Sequence, residues 1–365
     1  MPTPPRPFRL LLLPGVLALL SGVLGGLFRL GWPVLPAALS GGGAWHGALM
    51  MSAFFGTVIG MEKAVASGSH WPFLAPLASG CGGIFLLAGG PPAVAAILSA
   101  LAATILLAAS LATLKRQHAA FVAVAALGAS CWLLGSLCWL WTDDTALGAP
   151  AWLSFIVLTI AGERLELTRL VATPDAAKRT FALIVAILPV GLALALAAPA
   201  AGLTLQGAGL LGLAIWLARY DIARRNLWAE GLTRFIAICL MGGYGFLAVG
   251  GLLGLAGGLE AGHRWHDATL HAVTLGFVFS MVLGHALIVL PAIARIRVPY
   301  GWVFYVPLAV LHLSLAVRIG GGLAGQGDAI RYGALGNALA LLLFIAILAV
   351  QARRGAIAGK GARAS

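Results

Sequence analysis

Long apolar runs, broken at short intervals by charge, Pro and Gly, set the pattern of this chain. A helix needs about 20 residues to cross the hydrocarbon core of a bilayer. Twelve spans of that kind are predicted, the first four at residues 8–28, 43–62, 72–90 and 93–114. The next four fall at 119–141, 151–170, 181–199 and 203–219, and the last at 234–257, 267–294, 300–320 and 330–351. Gly89-Gly90-Pro91-Pro92 and Asp143-Asp144 are typical of the breaks between them. The expected architecture is an all-α integral membrane protein, a single polytopic domain over residues 1–365.

Composition agrees with the pattern. Hydrophobic residues make up 61% of the chain and charged residues 9%, against about 25% charged in soluble domains. Nothing remains to cover a soluble surface. Arg6 and Arg9 precede the first span, but no small-x-small cleavage site follows it, so it is expected to be a retained helix.

Charge then orients the spans. With the N-terminus inside, every one of the 23 basic residues except Arg29, Arg264, Arg318 and Arg331 falls on the cytoplasmic side. The acids divide almost evenly, which is the positive-inside pattern. Both termini are expected in the cytoplasm of a bacterial-type inner membrane. The net charge of +12 then reflects topology and contact with anionic lipid. It is not gathered on one soluble face, so no nucleic-acid partner is expected.

Four cysteines, Cys81, Cys131, Cys138 and Cys239, lie inside spans without a C-x-x-C pair and read as packing residues. No nucleotide loop, zinc-protease motif or calcium loop is present. The eight histidines are more informative. His70, His118 and His263 fall in loops, and His266 at the mouth of the tenth span. His46, His271, His285 and His312 lie within apolar spans, where an ionisable side chain is costly and marks a functional candidate. A hydrogen bond between helices is the alternative use for each.

His46 opens the second span and His271 lies near the start of the tenth, both of which begin outside. At ~1.5 Å rise per residue, both imidazoles sit a few ångströms below the outer surface. Two imidazoles at one depth on two helices suit the axial positions of a haem. The small and pliable context His46-Gly47-Ala48-Leu49-Met50-Met51 suits a flat macrocycle.

His271-Ala272-Val273-Thr274-Leu275-Gly276-Phe277-Val278-Phe279-Ser280-Met281, continuing to Pro291, resembles the tenth helix of the catalytic subunit of haem–copper oxidases. There a histidine near the outer end binds the low-spin haem and a proline follows near the inner end. The second span, opening with His46-Gly47 and followed by Met50-Met51, is similar to the helix that supplies the other ligand. The chain also resembles the NnrS-like membrane proteins, haem-associated relatives linked to nitric oxide handling. Twelve helices with both ends inside is the plan this resemblance implies. It departs from the oxidase pattern at the oxygen-reducing centre. Residues 151–199 contain no histidine for a copper site, and Thr269 stands where the family's high-spin haem ligand would be. Oxygen reductase activity is not expected.

His285 and His312 form a second candidate pair, for another haem or for copper. His285 follows His271 by about four helical turns, ~21 Å deeper, and His312 reaches a comparable depth from the inner side. A mutual or backbone hydrogen bond is the competing reading. Glu62 and Lys63 lie at the inner end of the second span, and Glu163, Arg164, Glu166 and Arg169 at that of the sixth. They read as interfacial ion pairs before they read as a proton entry route. Among the outer arginines, Arg331, then Arg318 and Arg29, are candidates for haem propionates. The resemblance places Arg331 and Arg318 at the junction that serves this purpose in oxidases.

The leading expectation is a bis-histidine, low-spin haem protein working in electron transfer or in nitric oxide or small-gas response, with a periplasmic or membrane redox partner. The rivals are a transporter or channel without haem, and a cofactor-free assembly factor. A transporter predicts internal repeats and helices broken at mid-membrane; the sequence has no convincing duplication, and its intramembrane charges cluster at span ends, not at the midplane.

Overall fold

The computed structural model describes residues 10–34, 43–170, 173–294 and 296–364, excluding the side chains of residues 170, 293–294 and 358–364. The cytoplasmic charges expected at Arg6, Arg9, Arg295, Lys360 and Arg363 lie outside what is described.

Every described regular element is a helix. Eleven are long and apolar enough to cross a membrane. In the first half these are α1 (Leu12–Arg29), α2 (Ala48–Ser67), α4 (Pro92–Gln117), α5 (Ala120–Thr142) and α6 (Thr145–Leu167). In the second half they are α7 (Asp175–Ala195), α8 (Pro199–Tyr220), α9 (Gly231–Leu255), α10 (His266–Ala292), α11 (Trp302–Ala324) and α12 (Gly327–Ala364). The remaining apolar helix, α3 (Trp71–Leu87), falls short of 18 residues. Large apolar side chains point outward, Leu183 at 69% and Leu313 at 70% exposure. Surfaces of that kind belong in lipid. The protein is a multi-pass helical membrane protein.

Each expected span falls on a helix, with three informative differences at the ends. The third stops at Leu87, because Gly89 takes φ +76° and the amides of Gly89 and Gly90 turn back to Leu86 and Phe85. That is glycine's usual way of ending a helix. The sixth begins earlier than expected, at Thr145, where the Asp144 carboxylate accepts the Ala146 amide at 2.8 Å and supplies an N-terminal cap. The last helix runs on to Ala364, past the apolar stretch.

The chain divides into two compact units, Met1–Glu166 and Leu167–Ser365. In the first, α5 and α6 approach at Gly135 and Gly148. A Cβ added to either would lie 2.7 or 2.6 Å from the other's carbonyl oxygen. Close backbone approach at small residues is how helices associate in lipid.

The same unit buries a ring of hydroxyls. Ser136 Oγ donates to the Trp132 carbonyl at 2.9 Å, so it receives its 2.6 Å bond from Ser99. Ser99 in turn receives a 2.6 Å bond from Ser52, which accepts the Trp132 indole N–H at 3.0 Å. The circuit starts and ends on Trp132 and joins α2, α4 and α5. Ser99→Ala removes a donor and an acceptor together, and an unpaired buried polar group costs about 1–3 kcal/mol. Unfolding of this variant in detergent should show a loss of that size, and an unchanged midpoint would refute the circuit.

The second unit packs on the same principle. Gly207 of α8 meets Gly254 of α9, where an added Cβ would lie 2.5 Å from the Gly254 carbonyl carbon. The Trp216 indole donates to the Ala177 carbonyl at 2.8 Å, tying α8 to α7. Asp221 accepts the Ala223 amide at 2.7 Å and the Tyr244 hydroxyl at 2.9 Å. Cys131 and Cys239 are buried, as their packing role requires, whereas Cys81 is exposed on α3.

Candidate functional site

His46 is the first residue of its helix, directly before a π-helical segment, Ala48–Phe54. Its Nδ1 lies 2.7 Å from the Gly22 carbonyl of α1. The ring rests on Gly26, where an added Cβ would meet Cε1 at 2.9 Å. One turn away, Gly22 leaves room for Met50, whose sulfur would sit 2.6 Å from a Cβ there. The Gly22-x-x-x-Gly26 face of α1 is thus the seat of both His46 and Met50. Side-chain donors explain the π segment. Ser79 Oγ reaches the carbonyls of Ser52 and Ala53 at 3.0 and 3.2 Å, and Thr57 Oγ1 reaches that of Ala53 at 2.6 Å. Groups that enter the backbone ladder widen its turns, and π segments recur at functional sites.

His271 occupies a parallel local setting in the second unit. It lies in the first turns of α10, and a π segment, Ala272–Phe279, follows at once. Its Nδ1 is 2.8 Å from the Asp267 carbonyl and 3.2 Å from the Asp267 carboxylate. Thr274 Oγ1 takes the Leu270 carbonyl at 2.8 Å, again at the entry to the π segment. In both histidines the carbonyl fixes Nδ1 as the protonated nitrogen. Nε2 then carries the lone pair, which is the tautomer that ligates a metal.

Arg318 of α11 is used differently from the expectation. Its Nε and Nη2 grip the two carboxylate oxygens of Asp267 at 2.8 and 2.6 Å, and the residue is only 6% exposed. A fork of this kind is the strongest pairing a guanidinium makes, so a carboxylate of the protein occupies the geometry that was expected for a propionate. Arg331 lies 3.7 Å from Asp328 and keeps 42% of its side chain exposed. Arg29 closes α1 one turn beyond Gly26, with its stem beside Gly43.

His285 and His312 each have a separate anchor. His285 Nδ1 faces the Met281 carbonyl at 2.8 Å. His312 Nε2 is 2.7 Å from Ser280 Oγ, and its ring packs on Gly242 and 5.0 Å from Phe246. The hydrogen-bonding alternative therefore has named partners for both. His118 caps α4 with φ +47°, and His263 accepts the Trp265 amide at 3.2 Å.

Lys63 of α2 bridges Glu62 at 3.1 Å and Glu163 of α6 at 2.7 Å, which turns the expected interfacial charges into an interhelical cluster within the first unit.

A haem takes four equatorial bonds from its own nitrogens and two axial ligands from protein, and a bis-imidazole pair is among the sets that serve. Among the described residues no group of three or more His, Cys, Asp and Glu is gathered to hold a metal ion. Two buried donors, Trp139 Nε1 and Trp265 Nε1, meet no acceptor among the described residues. Trp139 packs 6.3 Å from Trp45, the neighbour of His46, and Trp265 directly precedes α10. Buried N–H groups without partners suit a ligand that brings acceptors such as carboxylates. Taken one at a time, His46 and His271 each offer an imidazole of the kind a haem iron accepts.

Sequence reasoning missed Asp267, the two tryptophans and the Gly22–Gly26 seat. The four-residue spacing from Asp267 to His271 was the one available signal, since it stacks them on one helix face. Comparison with curated proteins gives no match, and neither does comparison with solved structures. The family described as a domain of unknown function, DUF8744, matches residues 9–353, nearly the whole length, and the chain belongs to that family.

Proposed function

We propose that this protein binds haem through His46 and His271 as axial ligands near the outer face of a twelve-span bundle, α3 included, with both termini cytoplasmic. Its role is electron transfer or response to nitric oxide or another small gas, with a periplasmic or membrane redox partner. One observation carries the reading. Two histidines in apolar helices each fix Nδ1 on a main-chain carbonyl, and each lie within two residues of the start of a π segment.

Haem iron supplies one-electron chemistry and binding of small gases. The protein's share is to present two Nε2 lone pairs and to hold the propionates. Arg331 and Arg29 are the cations proposed for that second task. The Arg318 guanidinium acts on Asp267 instead.

The test is the absorption spectrum of purified protein from haem-replete cells, oxidised and then reduced with dithionite. A six-coordinate, low-spin haem spectrum is expected. Fully folded protein without a Soret band would overturn the reading and favour a transporter or channel.

A further inference from the structure

We propose that Asp267, held by Arg318, is a positioning residue that raises the donor strength of His271 and lowers the reduction potential of the haem. The inference rests on the haem reading above.

The geometry is a three-group relay within the second unit. Asp267 precedes His271 by one helical turn, so its carboxylate and carbonyl both face Nδ1, at 3.2 and 2.8 Å. The carboxylate has no freedom to swing away, because Arg318 from α11 holds both of its oxygens at 2.8 and 2.6 Å. Arg318 is itself immobilised. It is 6% exposed, and its backbone lies against Gly333 of α12, where an added Cβ would come within 2.7 Å of the Arg318 amide nitrogen.

Asp267 keeps 37% of its side chain exposed, and a partly exposed ion pair adds little to stability, so the staple between α10 and α11 is a weak reason for the arrangement. Its orientation is the stronger one. The negative end points at the imidazole N–H and the positive end points away from it. An anion 3.2 Å from Nδ1 reinforces the polarisation of Nδ1–H by the carbonyl, pushes electron density to Nε2 and makes it a better ligand for ferric than for ferrous iron. Second-shell hydrogen bonding of this type is one of the means by which a protein sets a haem potential.

Two variants break the same staple but change the charge at Nδ1 in opposite senses. Asp267→Asn removes the anion, and Arg318→Gln leaves it unscreened. At a fixed applied potential, the ferrous-to-ferric ratio should rise at least tenfold in Asp267→Asn, an upward shift of about 59 mV for a one-electron couple. In Arg318→Gln the ratio should fall. A purely structural role predicts shifts of the same sign, or none, and Arg318→Lys, which keeps the charge, should move the ratio less than Arg318→Gln.

If Arg318→Gln does not fold, Asp267→Asn/Arg318→Gln removes both charges. Its ratio should lie above wild type, because the carboxylate is the nearer of the two to the imidazole. Haem-loaded variants with an unchanged ratio, or with both singles shifted the same way, would overturn the assignment of Asp267 and leave the bis-histidine reading standing. Wild-type protein without haem would overturn both.

Discussion

Replacing His271 or His46 with Ala should abolish the low-spin haem signal, and no other single side chain should do so as completely. On the haem proposal, each substitution would remove one of the two protein ligands. What remains is a five-coordinate, high-spin haem or none, visible as a shifted or missing Soret band. His70→Ala and His118→Ala should leave the spectrum unchanged, since neither residue lies in a span and His118 serves as the cap of α4. Size-exclusion behaviour and melting in detergent separate loss of ligand from loss of fold. A folded His271→Ala protein that keeps a six-coordinate spectrum would reject that ligand. Substituting His285 and His312 together tests the second pair, whose rings are anchored on Met281 and Ser280.

The largest loss of stability is expected from Lys63→Met. Lys63 is the cation between two carboxylates, and its removal leaves Glu62 and Glu163 facing each other without its charge between them. Breaking a buried charge pair from one side costs about 3–5 kcal/mol, because the remaining ion keeps its desolvation penalty. The three side chains here are 26–35% exposed, and solvent weakens such pairs, so a loss of about 2–3 kcal/mol is expected. Adding Glu163→Gln should restore most of it, since only one ion is then left. Denaturant unfolding of the two variants measures the coupling. A Lys63→Met protein as stable as wild type would mean that water or lipid headgroups, not Lys63, compensate the carboxylates.

The helices were legible because a bilayer demands uninterrupted apolar length, and the sequence displays length directly. Their ends were less so. Gly89 and Asp144 decide where α3 stops and α6 starts by local geometry, and a hydropathy profile blurs both. The histidines stood out as polar side chains in apolar runs. Their settings did not, because each depends on a group that hydropathy ignores. His46 rests on glycines about 20 residues earlier, and the π segment beside it arises from Ser79 on another helix. Arg318 has a partner that charge counting could not reveal. Charge counting placed it on the outer side and made it a candidate for a propionate, but only the packing of α11 against α10 reveals that Asp267 already fills its fork.

The hydroxyl ring of the first unit bears on leakage. A row of buried serines through a membrane protein is the usual material of a proton wire, which works by passing a proton in at one end and out at the other. Here both ends are blocked. The row begins at an indole N–H, which gives up no proton near neutral pH, and ends at a peptide carbonyl, which takes none. The Trp152 indole, 3.4 Å from Ser136, brings a further donor of the same inert kind. The serines can therefore reorient but cannot conduct. Three helices are thus joined by polar contacts that offer a proton no way along this row.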